Sequence, residues 1–181
     1  MRRLFVFIFM ICSVLKVMAQ QEEGTLRIEP NLGLSITNLT HAGTDASVGA
    51  VLDMNAQYQV SEKFGMVMGL DYANLGARCG HIKFTLGYIE LVPVLAKYYV
   101  YKGLSVYTGA EFGYKVYDNI DDIDILFFPY ANEIHVGIPV GMSYDWKHFS
   151  INAQYDLGLT KVFQNYRNKS RGVRITLGYK I

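Results

Sequence analysis

The side chains best suited to chemistry in this 181-residue chain are few: four histidines, two cysteines, and serines and acids spread among apolar runs. His135 has Glu133 two residues before it and Ser143 eight residues after it, so a base, an acid and a nucleophile share one run. Such a trio would suit an acyl hydrolase or an acyltransferase acting on lipopolysaccharide. Eight residues of extended chain span about 26 Å, however, which puts Ser143 beyond the reach of His135. Ser35 or Ser47 would then have to approach from other strands, and nothing in the sequence specifies that. Asp118, Asp121, Asp122 and Asp124 gather the oxygen ligands a hard cation takes. Their spacing follows no helix–loop–helix calcium pattern, so a solvated acidic loop is expected, with no metal and no cofactor.

The elements that would carry these residues have a period of two. In Leu104–Val116 the alternate residues Leu104, Val106, Thr108, Ala110, Phe112, Tyr114 and Val116 are apolar or lipid-tolerant. Between them stand Ser105, Tyr107, Gly109, Glu111, Gly113 and Lys115. One greasy face and one polar, glycine-dotted face is the pattern of a transmembrane β-hairpin. Further runs of the same kind cover about 25–38, 47–60, 64–74, 87–100, 133–145, 149–160 and 172–181. Tight turns at 61–63, 101–103 and 146–148 alternate with longer, more polar connections at 39–46, 77–85, 118–132 and 162–171. Short turns on one side and long loops on the other predict an all-β, eight-stranded antiparallel up-and-down barrel with its short side in the periplasm.

The N-terminus reads as an export signal. Arg2 and Arg3 precede the apolar Leu4–Leu15, and Val17-Met18-Ala19 offers a small-residue cleavage site. Residues 1–19 are therefore expected to be a signal peptide, 20–24 a short extension and 25–181 the barrel. Removal of the signal leaves Cys79 without a disulfide partner in the chain, an inert loop thiol. A formal net charge of +1 gives no reason to expect nucleic acid as a partner.

A secreted lipocalin-like ligand carrier would show the same alternation with its apolar face inward. Glycine placement argues against it. Gly33, Gly49, Gly65, Gly69, Gly109, Gly113, Gly137, Gly141, Gly158 and Gly178 all fall on the polar face, where a water-facing surface has no need of them and a crowded lumen does. Aromatic residues also gather toward both ends of the apolar face: Tyr58, Phe64, Tyr98, Tyr144 and Phe149 at one, Tyr72, Phe112, Tyr114 and Tyr155 at the other.

On this reading Arg27, Glu29, Asp53, Asp71, Glu90, Lys97, Glu111, Lys115, Asp156, Arg174 and Lys180 fill the lumen. Glu90 and Lys97 cannot share a face in an unbroken strand, so a β-bulge is expected within Leu91–Pro93. The turn at 61–63, pairing Val60 with Phe64, sets Asp53 opposite Asp71, with Glu90 at a similar height. Three inward carboxylates need a cation, and Arg174, with Lys115, is expected to reach across to at least one of them. In the third long loop, Asp121, Asp122, Asp124, Phe127, Phe128 and Tyr130 are the candidates for surface contact, because a greasy run in an exposed loop is otherwise a liability.

The runs Tyr88–Tyr99 (YIELVPVLAKYY) and Gly103–Gly109 (GLSVYTG) resemble the bacterial outer-membrane β-barrel domain family, the porin-family or PorT-like small barrels. Asn31–Ser35, Tyr155–Thr160 and Leu177–Lys180 are similar to the same family, and the resemblance covers about 25–181. It implies an eight-stranded outer-membrane barrel but no single activity. The expected protein is a non-enzymatic envelope or surface-contact barrel; the alternative is a lipid-modifying barrel enzyme. Expected partners are outer-membrane lipid and lipopolysaccharide, periplasmic chaperones and the barrel-assembly machinery during biogenesis, and an envelope or surface protein.

Overall fold

The computed structural model describes residues 22–40, 45–79, 82–120, 132–162 and 169–181, with the backbone alone for 75–79, 82–84 and 118–120. The expected signal peptide and the loop candidates Asp121, Asp122, Asp124, Phe127, Phe128 and Tyr130 lie outside the described residues. Eight strands follow one another: β1 Leu26–Leu39, β2 Asp45–Ser61, β3 Phe64–Cys79, β4 Ile82–Tyr101, β5 Leu104–Ile120, β6 Ile134–Trp146, β7 Phe149–Lys161 and β8 Lys169–Tyr179. Each pairs antiparallel with its neighbour, and β1 pairs with β8 to close the barrel. Closure removes the open sheet edges whose unpaired backbone groups hydrocarbon does not tolerate.

Alternation fixes the faces. In β8 exposed and buried residues alternate from Lys169 to Tyr179 without a break. Away from the strand ends the exposed set is largely apolar: Leu32 is 65% and Leu177 63% exposed. Such a surface would be a liability in water and fits lipid. Among outward aromatics, Tyr58, Tyr98, Trp146, Phe149 and Tyr179 lie toward the tight turns and Phe112, Tyr114 and Tyr117 toward the other end. The inward set is polar, with one apolar cluster of Val67, Val92, Leu95 and Tyr107.

The strand-four bulge lies at Val92–Pro93. Leu91 pairs with Phe112 and Val94 with Ala110, so two residues oppose Glu111 alone. Glu90 and Lys97 are consequently both buried inside. Asp53 pairs with Asp71, and Asp71 with Glu90.

Three expectations need correction. The tight turns are one residue shorter than the spacing suggests: Ser61 pairs with Phe64, Tyr101 with Leu104 and Trp146 with Phe149. Val60 and Val100 take up the difference as irregularities beside the first two turns. Gly103, at φ +83°, closes the second in a conformation that costs a glycine nothing. Secondly, 77–85 is mostly strand. β3 runs to Cys79, its last residue, and β4 starts at Ile82. Above the lipid-covered band the outward face no longer has to be apolar, so alternation stops reporting strand there. Thirdly, β8 begins at Lys169, three residues earlier than its alternation indicates.

Candidate functional site: two ion-pair clusters in the lumen

One row of paired residues runs through six of the eight strands. Asn31 on β1 pairs with Asp53 on β2, Asp53 with Asp71 on β3, Asp71 with Glu90 on β4, Glu90 with Gly113 on β5, and Gly113 with His135 on β6. The strand period turns all of them inward, and the middle of the row sets the carboxylates of Asp53, Asp71 and Glu90 on adjacent strands. Arg174 on β8 is buried with them. Its Nε lies 2.5 Å from Asp156 Oδ2 and its Nη2 2.6 Å from Glu90 Oε2. Asp71 Oδ2 is 3.5 Å from Nη1, and Glu111 Oε2 is 3.5 Å from Nη2. A planar, permanently charged fork is the one side chain able to serve acids on four strands at once. Asp53 is half-buried in the same region, and its Oδ1 accepts a hydrogen bond from Asn55 at 3.1 Å. Lys115 is half-buried on β5.

The second cluster lies toward the tight turns, around Asp145 on β6. Lys180 Nζ is 2.5 Å from Asp145 Oδ2 and Lys97 Nζ 3.6 Å from Oδ1. Tyr99 and Ser143 both donate hydroxyl hydrogen bonds to the same carboxylate, at 2.8 and 3.0 Å. Gln57 extends the network, donating to Tyr99 Oη at 2.9 Å and accepting from Lys97 at 3.2 Å. Glu29 completes this end, accepting from Ser150 at 2.7 Å. Arg27 is half-buried on the same inward parity.

Asp145 is the residue the sequence reading missed. It stands at the end of a run beside the Trp146–His148 turn, and its inward parity with Ser143 was the available signal. His135 is buried in the lumen, but not beside the acid of its own run. Glu133 is exposed, whereas Glu111 Oε1 lies 3.5 Å from His135 Nε2. No nucleophile joins them among the described contacts. Ser143 serves Asp145 in the other cluster, and Ser35 donates to the Asn74 carbonyl at 3.3 Å. Between the clusters a cavity of about 50 Å³, bordered by Asp53, Asn55, Lys97, Tyr107 and Arg174, has room for a few water molecules.

An apolar belt outside a closed ladder and a polar, ion-paired interior define a membrane barrel, and the sequence itself agrees: residues 18–164 match the family described as outer membrane protein beta-barrel domain. The chain belongs to this family. The protein is thus an outer-membrane barrel. Ail, the attachment invasion locus protein of Yersinia pestis, has a similar structure, with a TM-score of 0.54, 13% identity, and coverage of 88% of this chain and 100% of that one. Neisserial surface protein A (NspA) gives a TM-score of 0.52 and 13% identity over 86% of this chain and 96% of its own. OprG of Pseudomonas aeruginosa gives 0.51 and 13% over 90% and 98%. At these identities the likeness is one of fold. No match is found among curated proteins.

Proposed function

We propose that this outer-membrane barrel is a non-enzymatic, non-conducting protein that makes contacts at the cell surface or organises the envelope. The carrying observation is the lumen. Two buried ion-pair clusters cross it, with a small cavity between them, and eight strands leave a bore that side chains fill. Strand height supports the contact role. β4 has 20 residues and β8 has 11. At a rise of about 3.3 Å and a tilt near 40°, these reach roughly 50 and 28 Å, against an apolar band of about 25 Å. The β3–β4–β5 side therefore stands well above the membrane as a wall of paired strands, a form suited to meeting another surface. Ail and NspA are by their names an attachment protein and a surface protein, which agrees with this reading.

The partners on this reading are lipid and lipopolysaccharide around the belt, periplasmic chaperones and the assembly machinery during insertion, and an envelope or surface protein above. In planar bilayers the pure barrel is expected to show no large, stable conductance. Steady porin-like steps that scale with salt would show an open path through the lumen and replace contact with transport as the function.

A further inference from the structure

The Arg174 cluster is short of positive charge. One guanidinium faces Asp71, Glu90, Glu111 and Asp156, all within 3.5 Å. Buried carboxylates persist only when paired and hydrogen-bonded. Yet Glu90 and Glu111 are both 0% exposed, and Glu90 Oε1 and Glu111 Oε1 have no hydrogen-bond partner. Imidazole stands beside them. The donor atoms of Glu90, Glu111 and His135 lie within 4.8 Å of one another.

We propose that Glu90, Glu111 and His135 bind one divalent transition-metal ion of the zinc class, which supplies the missing positive charge of the upper lumen. The three ligands come from consecutive strands, β4, β5 and β6. Gly113 sits in register between Glu90 and His135, and a Cβ there would lie 3.2 Å from both side chains. Gly137, paired with Glu111, has its missing side chain replaced by the Glu111 carboxylate, on which a Cβ would intrude. Two glycines thus clear the ground on which the three ligands meet. At metal–ligand distances of about 2.0–2.2 Å, donors on a tetrahedral ion are roughly 3.3 Å apart. The 3.5 Å between His135 Nε2 and Glu111 Oε1 is long for a hydrogen bond and close to that spacing. Rotation of the Glu90 carboxyl brings in the third. The ring of Tyr88, 5.8 Å from that of His135, shields the imidazole. One imidazole with two carboxylates favours zinc, manganese or iron over calcium or magnesium, which take oxygen alone.

The test is titration of the refolded barrel in detergent with Zn²⁺, and with Co²⁺ as a visible-absorbing stand-in. One equivalent of Zn²⁺ is expected to bind and to raise the unfolding temperature. His135→Ala should weaken binding by more than about 100-fold, beyond the 10–100-fold that a supporting residue moves. Glu111→Gln should also weaken it. The remaining histidines, His41, His81 and His148, are replaced together by alanine as a control, and this variant should keep both the Zn²⁺ stoichiometry and the Co²⁺ absorption band. Absence of Zn²⁺ binding by folded wild-type barrel overturns the proposal. So does undiminished binding in folded His135→Ala, or loss of the Co²⁺ band in the triple variant, a result that decides the matter even if His135→Ala does not fold.

Discussion

Arg174→Leu is expected to destabilise the barrel more than any other single side-chain change in the lumen. The leucine removes the guanidinium that pairs with Asp71, Glu90, Glu111 and Asp156. Breaking a buried pair by deleting one partner costs ~3–5 kcal/mol, because the other charge stays behind without its counterion. Here several carboxylates stay behind. The loss should appear as a large drop in the temperature at which the compact gel band converts to the slow one. Adding Asp71→Asn to Arg174→Leu removes one stranded charge and should recover part of the loss. Arg174→Lys should fall between, since a single ammonium cannot fork across strands. A double variant no more stable than Arg174→Leu would mean that the cluster does not hold the lumen together.

Gly33→Ala is expected to be nearly as damaging, for a reason of space. Gly33 pairs with Thr176 across the β1–β8 seam that closes the barrel. A Cβ on Gly33 would run into the Ile175 carbonyl and the Thr176 backbone, neither of which can swing away. Overpacking typically costs ~1–3 kcal/mol, and a rigid neighbour puts the cost at or above the upper end. Gly65→Ala is the matched control. Its Cβ would meet the amide ends of Gln59 and Gln57 at 3.1 and 3.2 Å, flexible groups that can shift. Refolding yield into lipid vesicles should fall sharply for Gly33→Ala and little for Gly65→Ala. Equal yields would remove the seam from the account of closure.

Much of this architecture is legible in the residues because lipid on one side and a crowded lumen on the other impose a strict period of two. The conflict between Glu90 and Lys97 located the bulge, which the structure puts at Val92–Pro93. The opposition of Asp53 and Asp71 also follows from turn spacing, although the turn itself is one residue tighter than supposed. Where the constraint of lipid ends, legibility ends. The extension of β3 to Cys79 and the start of β4 at Ile82 lie above the belt, where alternation carries no information. The pairing of Arg174 with Asp71 and Glu90 was legible from register and charge, whereas the partners of His135 and Asp145 were not. His135 meets Glu111 on the neighbouring strand rather than Glu133 on its own, and Asp145 gathers Lys97 from β4 and Lys180 from beyond β8. Cross-barrel partners depend on side-chain reach over the bore, and parity says which residues enter the lumen without saying which meet.

The central claim is that this chain crosses the outer membrane as a closed, side-chain-filled barrel. Its most direct test is the migration of membrane-extracted protein on a detergent gel, with and without boiling. A closed barrel resists detergent until heated, so the unboiled protein should run ahead of the boiled form and stay in the membrane through carbonate washing. Identical mobility before and after boiling, together with release by carbonate, would contradict the account.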